Sequence, residues 1–183
     1  MLDTGAAARI RLLVLDVDGV LTDNAVYLGS VHGQRAEYKR FDVQDGLGIV
    51  LLRYTGIEVV WVSARPSAAT TLRAEELRVG TCVQDAGGHK LAAVESLLAD
   101  RRLAWDEVAC VGDDLADLPL LRRAGLAIAV PNAVPEVRAL ASHVTLQPGG
   151  HGAVREVVTD LLRARGEYDR VVEQYLLDQG DAA

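Results

Sequence analysis

Aromatic residues are scarce in this chain of 183 residues: Phe, Trp and Tyr together make up 4%. Leu, Val, Ala and Ile must therefore fill the interior, which favours an α/β domain with small-residue helices over a β-sandwich. Cysteine is nearly absent. Cys82 and Cys110 each lie in a short apolar segment, so a disulfide framework or a cysteine-rich zinc site is excluded and both read as small buried hydrophobes in a reducing compartment. Basic runs are missing and the formal net charge is -7. Nucleic acid is thus not an expected partner, because binding a phosphate backbone needs clustered Lys and Arg. No stretch reaches the roughly 18 apolar residues of a membrane span. The first residues, "MLDTGAAARIRLL", are acidic early and broken by Arg9 and Arg11, unlike a signal peptide. These absences predict a cytoplasmic protein with no membrane partner.

What is present alternates. "RLLVLD" (11–16), "EVVWVS" (58–63), "GTCVQD" (80–85), "EVACVGDD" (107–114) and "LAIAVP" (126–131) are short apolar runs bounded by Gly, Asp or Pro, the pattern of buried strands. Between them residues 45–56, 67–79, 89–102 and 114–125 carry apolar residues at helical spacing, and several end at a Gly, a usual helix stop. This rhythm predicts a Rossmann-like, three-layer α/β/α fold with a central parallel sheet. "AVYLGSVHGQRAEYKRFDV" (25–43) interrupts it: apolar and polar residues alternate around a turn at 29–33, which predicts an inserted β-hairpin. Residues 134–141 read as a short helix, 142–146 as an edge strand and 152–166 as an amphipathic helix. The charged tail, about 167–183, is expected to fray from an otherwise single domain.

Open α/β sheets bind ligands at the carboxyl ends of their strands. Four strand ends here carry polar groups: Asp16 and Asp18; Ser63 and Arg65; Lys90, reached through "DAGG"; and Asp113, Asp114 and Asp117 in "GDDLAD". If these converge, several carboxylates cannot all ionise side by side uncompensated. A hard divalent cation resolves this, and oxygen-only ligands favour Mg2+. A cation with Lys90 and Ser63 would cradle a phosphate dianion. Asp16, where the strand turns into a loop, can then act as nucleophile towards phosphorus. Asp18 can protonate the leaving alkoxide and later activate water. Gly19 permits the tight turn between these groups.

"DVDGVLTD", "SAR", Lys90 and "GDDLAD" together resemble, in order, the four motifs of the haloacid dehalogenase superfamily. Residues 16–49, 111–121 and 148–158 resemble, within it, the small capless 3-deoxy-D-manno-octulosonate 8-phosphate phosphatases, and the likeness runs from about Arg11 to Arg163. The resemblance implies a Mg2+-dependent phosphomonoesterase acting on a phosphorylated sugar acid through an aspartyl-phosphate. It implies a homotetramer whose hairpins pair, with a partner subunit completing the active site. Residue by residue it implies Asp16 as nucleophile and metal ligand, Asp18 as acid/base and a ligand through its backbone carbonyl, and Asp113 as the third protein ligand. Asp114 and Asp117 would hold metal waters and neighbouring loops. Ser63 and Lys90 would bind phosphoryl oxygens, and Gly112 would keep its strand end open for the metal. Spacing supports the capless form independently, since the slot after the first motif holds only a hairpin.

Three positions depart from the family pattern, the first being Ser63, which keeps the hydroxyl of the usual Thr. Ala64 replaces the Gly of Thr-Gly-Arg in the phosphate- and substrate-binding segment Ser63–Arg65, so the backbone there cannot need a positive φ. Arg65 is either a clamp for the substrate carboxylate or a solvated loop charge. His151 stands where Arg is usual in Gly-Gly-Arg-Gly, which leaves room for another sugar phosphate, such as a nonulosonate 9-phosphate. Asp45 either caps its own helix or lies near the substrate entrance, and Lys39 and Gln44 share that ambiguity. His143 and Trp61 read as structural. A non-catalytic tetramerisation module is the remaining alternative, opposed by the cost of an unused charge cluster.

Overall fold

The computed structural model describes residues 2–180. Six parallel strands form the central sheet in the order β5-β4-β1-β6-β7-β8. They are β1 (Leu12–Leu15), β4 (Glu58–Ser63), β5 (Thr81–Gln84), β6 (Val108–Gly112), β7 (Leu126–Ala129) and β8 (His143–Val144). Every residue of β1, β6 and β7 is buried, as a parallel sheet covered on both faces requires. The covering helices include α2 (Val43–Leu51), α3 (Ala68–Glu76), α4 (Lys90–Arg101), α5 (Leu118–Leu121), α6 (Pro135–Leu140) and α7 (Ala153–Ala164). The register pairs Leu15 with Trp61 on one side and Val111 on the other. Asp16 and Asp113 therefore emerge on adjacent strands at one edge of the sheet. The chain order reverses between β4 and β6 on either side of β1, so β1 ends at the topological switch point.

The core is aliphatic, as the composition requires. Trp61, fully buried, is its largest side chain, and it stacks on Phe41 with ring centroids 6.2 Å apart. Cys110 is buried in β6, whereas Cys82 is only half-buried and both are free thiols.

Three features differ from expectation. The hairpin, β2 (Tyr27–Val31) and β3 (Gln34–Tyr38), turns on two residues. His32 and Gly33 adopt φ of 51° and 77°, the left-handed pair of a type I′ turn that matches strand twist. Gly29 lies within β2 opposite Ala36, not in the turn. A short N-terminal helix, α1 (Thr4–Arg9), is added, capped by Asp3, which accepts the Ala6 N–H at 2.7 Å. Its apolar content is too brief to show as a period. The third difference is the tail. Residues 168–178 form α8 (Tyr168–Asp178) instead of fraying. Val171 is fully buried, Tyr175 packs edge-on to Tyr54, and the Tyr54 hydroxyl donates to Asp178 at 2.9 Å. A few apolar positions in a charged segment are enough once they meet a waiting groove. The last three residues of the expected tail lie outside the described residues. Among the described residues no helix is long and apolar enough to cross a membrane.

Candidate active site

Three elements deliver charged groups to one point. Asp16 follows β1 and is 7% exposed; Asp113 follows β6 and is 3% exposed; Asp117, in the turn after β6, is 1% exposed. One oxygen from each lies within 4.8 Å of the others. Lys90 opens α4 and is also buried. Its ammonium donates to Asp16 Oδ1 at 2.7 Å and to Asp117 Oδ1 at 2.8 Å. One cation thus faces three carboxylates.

The imbalance shows in the protonation energetics. Burial, then the nearby Asp117 carboxylate, pushes Asp16 up to about 7 despite the opposing pull of Lys90. Burial, then Asp16 and Asp117, pushes Asp113 up to about 8. Burial works against the Lys90 ammonium, but Asp16 and Asp117 outweigh it and hold its pKa above the ordinary lysine value. Such a cluster is a strong demand for further positive charge. Asp113 Oδ1 is buried with no hydrogen-bond partner, while Asn24 donates to its Oδ2 at 3.3 Å. An orphaned carboxylate oxygen amid hard oxygen donors fits a divalent cation of the Mg2+ type.

Asp18 points elsewhere. Its Oδ1 accepts from Lys39 Nζ at 2.7 Å and its Oδ2 from the Ser63 hydroxyl at 3.4 Å. Arg65 lies 3.7 Å from Asp18 and 3.3 Å from Glu37. Ser63 Oγ also accepts the Arg65 N–H at 3.0 Å, a local turn that aims the hydroxyl at the acidic loop. Ala64 stays out of the left-handed region, so its methyl group is accommodated as its residue type requires.

Asp16, Asp113, Asp117 and Lys90 are thus one cluster, with Asp18, Ser63 and Arg65 forming an adjoining one. Asp114 joins neither: it is exposed and caps the turn Leu115–Asp117 by accepting the Leu115 N–H at 2.7 Å. Asp117 is closer in than expected, because it sits directly against Lys90. Gly112 also acts differently. A Cβ there would strike the Asp117 side chain, so the glycine makes room for Asp117, not for a metal. Asp45 caps no part of its own helix; Asp42 does that, accepting from Gln44 and Asp45 N–H. The buried Asp45 carboxylate instead accepts the Gly152 and Arg155 N–H groups at 3.3 and 2.8 Å, at the start of α7, and burial raises its pKa to about 6. His151 is exposed, with the Arg40 guanidinium 3.3 Å from its ring. A separate trio, His143, Glu156 and Asp160, lies at β8 and α7, where Glu156 is already engaged by the Leu146 and Gln147 N–H groups.

The sequence and the fold are also found in known proteins. Residues 78–157 match the haloacid dehalogenase-like hydrolase family. The chain is 41% identical over 168 residues to the 3-deoxy-D-manno-octulosonate 8-phosphate phosphatase of Escherichia coli K12, covering 92% of this chain and 87% of that protein. The chain belongs to this phosphatase family. Among solved structures, the 3-deoxy-D-manno-octulosonate 8-phosphate phosphatase of Moraxella catarrhalis, in complex with magnesium ion, phosphate ion and a KDO molecule, matches with a TM-score of 0.87 and 37% identity over 94% of this chain and 97% of that one. The Yersinia pestis enzyme matches with a TM-score of 0.86 and 38% identity, covering 91% and 88%. These TM-scores show that the fold described above is shared with those structures.

Two residues take roles that a reading of the sequence does not assign. Lys39, a candidate near the substrate entrance, is 2% exposed in its side chain and holds Asp18, a pairing that no spacing along the chain signals. Asn132, after β7, donates to the Gly19 carbonyl at 2.9 Å. Its place at a fifth strand end was the available clue.

Proposed function

We propose that this protein is a Mg2+-dependent phosphomonoesterase that hydrolyses 3-deoxy-D-manno-octulosonate 8-phosphate to the free sugar acid and phosphate. The observation that carries the reading is the buried cluster of Asp16, Asp113 and Asp117 around Lys90, with its orphaned Asp113 oxygen, in a chain sharing 41% identity with enzymes of that activity.

Asp16 is the nucleophile. Its carboxylate oxygen bonds to phosphorus as the ester P–O bond breaks, and Asp18 gives its proton to the departing alkoxide oxygen. In the second half Asp18 takes a proton from water, whose oxygen bonds to phosphorus while the bond to Asp16 breaks. Lys90 stays protonated throughout, held by Asp16 and Asp117, and faces the negative phosphoryl oxygens. Ser63 donates to the same group, and Lys39 and Arg65 keep Asp18 in place. Asp16, Asp113 and the Asp18 carbonyl would hold the metal, and Asp117 fixes Lys90. Mg2+, when bound, offsets the charge of these carboxylates and of the phosphoryl group. Arg65 and Arg40 are the cations available to the substrate carboxylate, Arg40 standing beside His151, where the family's usual arginine is replaced.

The enzyme acts in the cytoplasm as a homotetramer assembled through its hairpin. Val26, Tyr27, Leu28, Val31 and Tyr38 are between 42% and 57% exposed in the single chain, an apolar surface on a two-stranded sheet that is marginal alone.

The test is a panel of phosphate esters ranked by kcat/KM with and without Mg2+, beside light scattering for mass. 3-Deoxy-D-manno-octulosonate 8-phosphate should lead, and Asp16→Asn should abolish turnover while the far-UV circular dichroism is unchanged. Near-normal activity in that variant, or a better substrate from another class, refutes the assignment.

A further inference from the structure

We infer that Asn132 is a positioning residue whose side-chain amide clamps the catalytic loop, residues 16–23, to the glycine-rich loop, residues 148–152. The inference rests on the phosphatase reading above for its kinetic consequence, though not for its structural one. Asn132 Nδ2 donates to the Gly19 carbonyl at 2.9 Å, and its Oδ1 accepts the Gly149 N–H at 2.8 Å. A carbonyl on one side and an N–H on the other fix the amide's orientation, and a carboxylate of the same shape cannot serve both.

The two loops meet backbone to backbone. A Cβ at Gly149 would overlap the Gly19 carbonyl, and one at Gly150 would meet the backbone of Thr22 and Asp23. The Gly150 N–H donates to the Val20 carbonyl at 3.0 Å. At its far end the glycine-rich loop is held by Asp45 through Gly152 and Arg155. Gly19 in turn has φ of 97°, and its α-carbon faces the Asp113 carboxylate so closely that no Cβ would fit. A shift at Gly19 therefore reaches Asp18 through the adjoining peptide unit and Asp113 through contact. Within the catalytic loop the Leu21 and Thr22 N–H groups donate to the Val17 carbonyl at 3.0 and 3.1 Å and the Gly19 N–H to the Thr22 hydroxyl at 3.3 Å; the Gly19 carbonyl itself is held by Asn132. Asn132 thus decides where the acid/base and the metal-facing carboxylate stand relative to each other, without touching substrate.

Asn132→Ala and Asn132→Asp in the full chain test this. At saturating Mg2+, kcat should fall about 10- to 100-fold, the usual consequence of a misplacement near 1 Å, while KM changes less than about 3-fold. Circular dichroism should not change. By hydrogen exchange, peptides covering 16–24 and 147–153 should exchange about tenfold faster, and α4 should not. A kcat within twofold of wild type overturns the inference, as does uniformly faster exchange with loss of helix signal, which marks a merely structural residue. If the wild type hydrolyses no phosphate ester, the phosphatase reading fails. Exchange then decides the clamp alone, and unchanged protection of the two loops overturns it.

Discussion

Stability without a divalent cation should fall as pH rises from about 4 to about 8, and Mg2+ should restore it only at the upper end. The perturbation is protonation of Asp16 and Asp113, raised from 3.8 to about 7 and about 8. A carboxyl whose pKa is raised by folding binds its proton more tightly in the native state. Its contribution is therefore intact below the unfolded value and lost as pH rises through the folded one. For Asp16, a rise from 3.8 to about 7 corresponds to roughly 4 kcal/mol at full ionisation. For a domain of this size that is roughly 10 °C in Tm. Asp45, raised to about 6, adds a loss in the same direction. The assay is thermal unfolding from pH 5.5 to 8.5, in chelator and in excess Mg2+. The Tm in chelator should drop across that range, and Asp113→Asn should flatten the drop. Mg2+ should stabilise strongly at pH 8.5 and weakly at pH 5.5, since it competes with protons for the same oxygens. A Tm in chelator that climbs with pH, or equal Mg2+ stabilisation at both ends, refutes the reasoning.

Lys90→Met should lower kcat by at least about 100-fold and destabilise the metal-free protein by about 3 kcal/mol, because it leaves Asp16 and Asp117 buried without their cation. Steady-state kinetics and urea unfolding measure the two effects. Arg40→Ala should raise KM for the sugar-acid phosphate about tenfold, and more than for para-nitrophenyl phosphate, as loss of one charge-assisted contact would, while loss of its bond to the Gly150 carbonyl affects both esters alike. Val171→Asp should cost at least about 3 kcal/mol, since Val171 is fully buried in α8. A melting temperature equal to wild type would mean that the tail helix does not dock in solution.

The strand segments along the chain, the hairpin and the acidic strand ends were legible because each rests on local rules. β1 reads as buried since "LLVL" is apolar on both faces, and Asp16 reads as a strand-end acid because the apolar run stops there. Asp113 and Lys90 were legible by their own motifs. Residues 168–178 were misread because a helix with one fully buried residue, Val171, has almost no period of its own, and its stability is lent by Tyr54 and the groove beneath. Asp45 was legible as a cap but not as the cap of α7, because its partners Gly152 and Arg155 are over a hundred residues away in the chain. Lys39 was legible as a candidate near the substrate entrance but not as the partner of Asp18, and Asn132 only by its place at a strand end.

The sequence by itself therefore determined the secondary elements other than the two terminal helices, the parallel sheet and which acids stand at its carboxyl end, since those follow from periodicity and from the energetic cost of placing charge inside a strand. Only the tertiary structure decided which acids share a cation. It put Asp117, not Asp114, against Lys90, turned Asp18 towards Lys39 and Ser63, and used Asn132 to join two loops. The physical reason is that a carboxylate's partner is set by distances of 3 to 4 Å between segments brought together by folding, and no spacing along the chain encodes those distances.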